Sequence, residues 1–199
     1  SNEFFDCFPV RQFLNDNNNN WFERYVKFNK KENKYYSINK RVISKKVLDN
    51  LSNYKRQKIY EVSYSRNKYF EQICKYLKKN RGICILIDYG YYKKIKNFTL
   101  QAIYNHKKTS IFENIGQQDI SSHVNFNELI EIAKQNKLQI NEFVTQRDFL
   151  IKYGILERKK KLLTKNSNLN KNLLDEEVDR LINVDRMGNL FKCLVVSNL

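Results

Sequence analysis

The stretch GICILIDYG, residues 82–90, is where the fold is decided. Ile83, Cys84, Ile85, Leu86 and Ile87 are apolar at every position rather than at every second one. Such a run predicts a strand covered on both faces, as in a parallel sheet between helices. Upstream, Tyr69, Phe70, Ile73, Cys74 and Leu77 recur at helical spacing, and Gly82 suits the C′ position that ends such a helix. Helix, glycine, buried strand and terminal acid make half of an α/β repeat. In open α/β sheets ligands gather beyond the carboxyl ends of the strands. Asp88 and Tyr91 stand there and are candidate substrate-binding residues, although an acid at this point also suits a cap on the following turn.

Working outward, the segment WFERYVKFNKKENKYYSINKRVI is aromatic-rich with a polar turn at its middle. It predicts a hairpin over residues 21–38, inserted within residues 21–47. NDNNNN, residues 15–20, is a low-complexity loop. Asn125 with Glu128 has the chemistry of a capping box, and Phe126, Leu129, Ile130 and Ala133 continue it as a helix. LQINEFV predicts a strand. Thr145 with Asp148 repeats the capping signal and opens a short helix that runs to Gly154. KKKLLTKNSNLNK, residues 159–171, is expected as a polar loop. Leu173, Leu174, Val178, Leu181 and Ile182 mark a further helix, and LFKCLVV a last strand. No repeat or domain boundary interrupts residues 1–199, so one α/β domain is expected.

The chain has 199 residues and a formal charge of +16, from 37 basic and 21 acidic side chains. That excess favours nucleic acid or acidic partners. The lysines are spread through the chain rather than set in one stripe, and Lys, Asn, Ile and Tyr are all over-used, which is the mark of genome-wide bias. Nucleic-acid binding is therefore disfavoured. No apolar run approaches the ~20 residues of a membrane helix. The four cysteines form no C-x-x-C pair and have no histidine at ligand spacing, so no metal site is expected and a reducing compartment suits them.

Five glycines leave no material for a phosphate cradle, and no G-x-G-x-x-G, P-loop or nucleophile elbow is present. What remains are acids and two histidines. Glu3 and Asp6 flank two phenylalanines, and a pair of acids suits a cationic substrate or a base. A solvated loop explains them equally well. His106 and His123 are the only histidines, and a lone histidine is more often structural than catalytic.

Seven collinear blocks add to this: NEFFDCFPVRQF, WFERYV, ILIDYGY, TLQAIYNH, DISSHVNF, TQRDFLIKYGI and MGNLFKCL. Together they resemble the C-terminal half of the MidA family of S-adenosylmethionine-dependent methyltransferases, which includes a mitochondrial protein arginine methyltransferase for respiratory complex I assembly. The departures are Asn105 where the family usually has Gly, Asn125 where it has Asp, and Tyr64 where it has Pro. The resemblance implies an incomplete Rossmann-like class I sheet, with the last strand, residues 190–196, antiparallel to a neighbour. NEFFD would follow the fourth strand. The Gly-rich turn and the ribose-binding acid would then lie upstream of Ser1, so this chain alone is expected to bind S-adenosylmethionine weakly or not at all. A truncation, a split gene product and one partner of a two-chain enzyme all fit. By analogy with other arginine methyltransferases, Glu3 and Asp6, and more loosely His123, are the catalytic candidates; Asp88, Tyr91 and His106 are the substrate-side ones. The implied partners are a protein substrate, such as a complex I subunit, and an N-terminal half in trans. The implied compartment is the bacterial cytoplasm or the mitochondrial matrix. The alternative is a non-catalytic remnant, or a basic module for RNA or an acidic protein.

Overall fold

The structure, a computed structural model, describes residues 1–16, 18, 20–55, 57–165 and 170–199. The chain begins with strands β1 (Arg11–Asn15), β2 (Trp21–Asn29) and β3 (Lys34–Arg41), helix α1 (Lys45–Leu51) and strand β4 (Ile59–Val62). Helix α2 (Tyr64–Asn80) and strand β5 (Gly82–Tyr91) follow, then short strands β6 (Gln101–Tyr104), β7 (Lys107–Thr109), β8 (Asp119–Ser121) and β9 (Val124–Asn125). The last part holds α3 (Phe126–Gln135), β10 (Gln139–Thr145), α4 (Gln146–Lys152), α5 (Ile155–Lys165), α6 (Lys171–Ile182), α7 (Met187–Leu190) and β11 (Phe191–Asn198). Two compact units divide these elements. One comprises Ser1–Phe4, Phe70–Gly90 and Phe126–Leu199; the other comprises Phe5–Tyr69 and Tyr91–Asn125.

In the first unit β11 lies between β10 and β5 and is antiparallel to both. That is the reversed last strand expected from the block order. On the other edge of β5 the chain start runs parallel: Ile87 N–H donates to Ser1 O at 3.0 Å, and Glu3 N–H donates to Ile87 O at 3.0 Å. Leu86, Leu194 and Val196 are buried on this sheet, as are Phe70, Cys74 and Leu77 of α2. Each full burial of this kind contributes about 1.5–3 kcal/mol. The Asn198 side chain donates to Leu77 O and Lys78 O, tying the last strand to the end of α2.

Three expectations are corrected. The apolar run of β5 is not covered on both faces, because Ile83 is 53% and Ile85 41% exposed. Helix α2 covers the Cys84 side, where the half-buried Cys84 thiol lies near the buried Cys74, and alternation turns Ile83 and Ile85 the other way. The helix end is made by Arg81, not Gly82. Arg81 takes the left-handed conformation at φ 44°, and Gly82 already begins the strand. The expected polar loop over residues 159–171 is helical as far as Lys165. Lys159 pairs with Asp175 at 2.6 Å, and Leu162 faces Leu174, Val178 and Leu181 across a cleft of about 540 Å³. Residues 166–169 of that stretch, and residues 17 and 19 of the low-complexity loop, lie outside the described residues.

The capping signal at Thr145 holds: Thr145 Oγ1 accepts from Asp148 N–H at 3.2 Å. Asn170, within the stretch expected as a polar loop, caps α6 by accepting from Asn172 N–H and Leu173 N–H. Gly154 ends the α4 segment at φ 85°.

The second unit is built on two antiparallel sheets, β3-β2-β1-β4 and β7-β6-β8. The expected hairpin is β2 and β3, which here forms one side of the larger sheet. Phe13, Trp21, Leu51, Tyr60 and Val62 make its core, with Val42, Val47, Leu48 and Tyr54 packed against them. The neighbouring strand residues bond in pairs. Arg11 makes two bonds to the Glu23 carboxylate at 2.6 and 2.7 Å, which hold that carboxyl below its usual range.

Two consequences are measurable. A Cβ on Gly188 would stand 2.5 Å from Ile182 O and 2.6 Å from Asn183 O. Gly188→Ala is therefore expected to cost about 1–3 kcal/mol, read as a lower urea midpoint by far-ultraviolet circular dichroism. Burial raises Cys74 and Cys193 to about 12, and raises Cys84 as well, while Cys7 is exposed. At pH 8 a thiol reagent should modify Cys7 promptly, and Cys74 and Cys193 only on unfolding. Because these thiols ionise near 9.0 when unfolded, stability should also fall as pH rises from 9.0 towards about 12.

Candidate functional site

The NEFFD segment is pinned by aromatic packing and by one buried cation. Phe5, 2% exposed, packs edge-on to Tyr69 at 6.1 Å, and Phe8 packs against both. Ser63 caps α2 by accepting from Arg66 N–H at 3.3 Å. The cap fixes the helix start and sets Arg66 on its inner face, where it is 3% exposed. Its Nε donates to Phe5 O at 2.6 Å. Its Nη2 donates to Ser122 Oγ at 2.9 Å and to Ser122 O at 3.5 Å, and its Nη1 donates to His123 O at 3.4 Å. A planar guanidinium reaches two chain segments at once, which an ammonium cannot do with the same geometry.

The second anchor is Glu61, 2% exposed. One carboxylate oxygen accepts from Gln12 Nε2 at 2.6 Å and from Thr99 N–H at 3.0 Å; the other accepts from Thr99 Oγ1 at 2.5 Å. Thr99 Oγ1 in turn accepts from His123 N–H at 2.9 Å. Ser122 N–H donates to Asp6 O at 2.9 Å. Asp6 and His123, both half-buried, are thus brought to neighbouring backbone by a network that holds their main chain from both sides. Satisfied buried networks of this kind rigidify what they hold.

Glu3 and Asp88 are brought together in the other unit. Glu3 is exposed and takes the left-handed conformation at φ 47°. Asp88 is 1% exposed, and its carboxylate accepts from Phe4 N–H at 3.2 Å and from Tyr89 N–H at 2.8 Å. It holds the turn that carries Glu3. Tyr91 is half-buried at the end of β5. His106 is exposed in the β6–β7 turn, at the opposite end of β6 from the Gln101–Ser121 pair that leads into Ser122 and His123. Asn105 and His106 both have positive φ, 48° and 61°, as a two-residue type I′ hairpin requires. Asparagine tolerates that conformation, which accounts for Asn105 where the family usually has glycine.

Arg66, Glu61, Thr99 and Ser122 were not singled out from sequence. Arg66 had a legible signal: it lies four residues before Phe70 and eight before Cys74, on the buried stripe of α2. A charge on an apolar stripe marks a buried partner. Glu61 gave no comparable signal, because Tyr60 and Val62 on either side of it point to the opposite face of the strand.

The glycines bear on a cofactor. Gly116 and Gly154 have positive φ and stand singly, and among the described residues no strand is followed by a glycine-rich turn. The residues present therefore do not form a cradle for the methionine end of S-adenosylmethionine. Among the described residues no group of three or more His, Cys, Asp or Glu is placed to hold a metal ion, and no helix is long and apolar enough to cross a membrane.

A family model described as "Putative S-adenosyl-L-methionine-dependent methyltransferase" matches residues 1–144. The mitochondrial protein arginine methyltransferase NDUFAF7 of Danio rerio is 25% identical over the whole chain, and the homologue of Caenorhabditis elegans is 28% identical over 81% of it. The chain spans 46% and 38% of those proteins. A crystal structure of an uncharacterized protein from Burkholderia thailandensis matches 99% of the chain and 54% of its own, with a TM-score of 0.86 at 22% identity. A second from that organism, bound to S-adenosyl-homocysteine, covers 99% of the chain and 52% of its own at a TM-score of 0.83 and 22% identity. The fold is that of these structures.

Arg66→Ala would leave the carbonyls of Phe5, Ser122 and His123 without their donor. It is expected to cost on the order of 3 kcal/mol and to speed amide exchange in residues 5–8 and 121–124 most of all. Hydrogen-exchange mass spectrometry checks this, and uniform exchange along the chain would count against the clamp.

Proposed function

The chain belongs to this S-adenosyl-L-methionine-dependent methyltransferase family, and from that premise we propose that it is the substrate side of a protein arginine methyltransferase. The observation that carries the proposal is the placement of β11 antiparallel between β5 and β10, with the chain start parallel on the far edge of β5. That order is consistent with a class I methyltransferase sheet, and it supports reading this chain as an incomplete Rossmann-like sheet. The names of the curated relatives support a protein arginine as the methyl acceptor.

In this proposal Glu3 and Asp6 are the candidate carboxylates, each of a kind that accepts N–H bonds from a guanidinium. They orient its nitrogen and balance its charge. His123 stands beside Asp6 on the backbone pinned by Arg66 and Glu61. Asp88 keeps the turn bearing Glu3 in place, and Tyr91 and His106 belong to the wider substrate surface. S-adenosylmethionine supplies the methyl group in the whole enzyme. In this reading its cradle comes from an N-terminal half, joined or in trans. The proposed acceptor is a respiratory complex I subunit, in the mitochondrial matrix of a eukaryote or the cytoplasm of a bacterium.

The test mixes the chain with the N-terminal half of a full-length relative and follows labelled methyl transfer to an arginine peptide. Transfer is expected only with both halves. Glu3→Gln and Asp6→Asn are each expected to lower kcat roughly a hundredfold without changing the unfolding midpoint. Calorimetry on the chain alone should detect no S-adenosylmethionine binding. Micromolar affinity, about −8 kcal/mol, would overturn the assignment of the cofactor site to the other half. Absence of transfer from a mixture that binds the cofactor would favour a non-catalytic remnant.

A further inference from the structure

The β2–β3 arm has features that methyl transfer does not use. Residues 21–41 carry seven Lys or Arg against two acids, Glu23 and Glu32, and Glu23 is already held by Arg11. Strand β3 is the outer strand of its sheet, and all eight of its residues except Ile38 are exposed. Among the described residues no strand pairs with its outer edge, so a row of backbone donors and acceptors stands open.

The two faces of the arm differ. Opposite residues of an antiparallel pair share a face, and faces alternate along a strand. Lys27 lies opposite Tyr36 and Glu23 opposite Lys40, which puts Lys27 and Lys40 on one face with Tyr36. Phe28 lies opposite Tyr35 and Val26 opposite Ser37, which puts Val26, Phe28 and Tyr35 together towards the turn end of the other face, with Arg24 and Arg41 farther along it. The Phe28 and Tyr35 rings are 4.7 Å apart. With Phe112 and Ile115 they line a cleft of about 520 Å³. Lys34 and Glu113 also line it, and by register Lys34, opposite Asn29, shares the face of Lys27 and Lys40. The four apolar residues suit the cleft to an apolar side chain.

We propose that the outer edge of β3 is a docking site for an extended acidic segment of a partner protein, which adds to the sheet as a further strand. Alternate residues of that segment are acidic, facing Lys27 and Lys40, and apolar, facing the Phe28–Tyr35 cleft. An open edge recognises any extended backbone, and the pockets beside it choose the side chains. The cations exclude a second copy of this arm, because like charges would lie side by side. They favour an acidic strand for the same reason. RNA matches the lysines and the rings but has no amide backbone to pair with the edge. The proposal is independent of the methyltransferase reading, since it concerns binding without cofactor.

Fluorescence anisotropy tests it with a labelled decapeptide of alternating glutamate and valine. Three competitors are used: the same residues in two blocks, the alternating peptide N-methylated at every second amide, and a ten-nucleotide oligouridylate. The alternating peptide should bind, and both altered peptides should compete at least about tenfold more weakly. K27E/K34E/K40E should weaken binding by about tenfold or more. The control K160E/K161E/K165E, of equal charge change on α5, should leave it within about twofold, with circular dichroism confirming that both variants fold. Equal competition by the N-methylated peptide would overturn strand addition. Equal loss in the two triple variants would reduce the effect to net charge and overturn the site. Stronger competition by oligouridylate would assign the arm to nucleic acid instead.

Discussion

A single buried guanidinium is the constraint on which the candidate site depends. Arg66 is enclosed among backbone carbonyls and one hydroxyl. Removing such a cation from water costs several kcal/mol, and only complete hydrogen bonding offsets it. The folded chain must therefore keep Phe5, Ser122 and His123 at the positions that satisfy Arg66. Those are the positions that bring Asp6 beside Ser122. Stability and site geometry are set by the same bonds.

The clamp rests on local helix chemistry. Ser63 fixes where α2 starts, and the start fixes which residues face inward. Tyr64 occupies the first helical position, where the family usually has proline. Proline suits that position because its missing N–H is not needed there. Tyrosine gives up that preorganised φ, and the Arg11 guanidinium lies 5.7 Å over its ring. The departure from the family pattern is absorbed by the surface and does not reach Arg66.

Much of the fold was legible because its signals are local. The helix before residue 82, the cap at Thr145 and the hairpin of β2 and β3 each depend on a few adjacent residues. The covering of β5 is not a local property. Five apolar residues in a row state that both faces resist water, but not that both are buried, and Ile83 and Ile85 are largely exposed. The helix α5 was missed because four of its eleven residues are consecutive cations, Arg158 to Lys161, which read as solvent. Lys159 packs its stem inward and pairs with Asp175, as long cationic side chains commonly do. At the site, acids and histidines drew notice by type. The residues that hold them, Arg66, Glu61 and Thr99, are identified by partners distant in sequence, and one chain without its structure does not pair them.

The lysine bias of the chain makes its arginines informative. Where lysine is the default cation, an arginine is expected wherever the planar fork or its stacking is needed. Arg11 makes two parallel bonds to Glu23. Arg24 lies 4.1 Å over the Phe98 ring. Arg66 spans two segments, and Arg147 donates to Ile182 O at 2.8 Å, where the chain leaves α6. The paired bonds of Arg11 and the two-segment reach of Arg66 are not reproduced by a compact ammonium. The lysines of the β2–β3 arm are the converse case, since an extended acidic strand needs charge at intervals along an edge rather than a fork at one point. Composition alone merges the two kinds of cation into a charge of +16. Their geometry separates arginines that tie the fold together from the lysines of the open β3 edge.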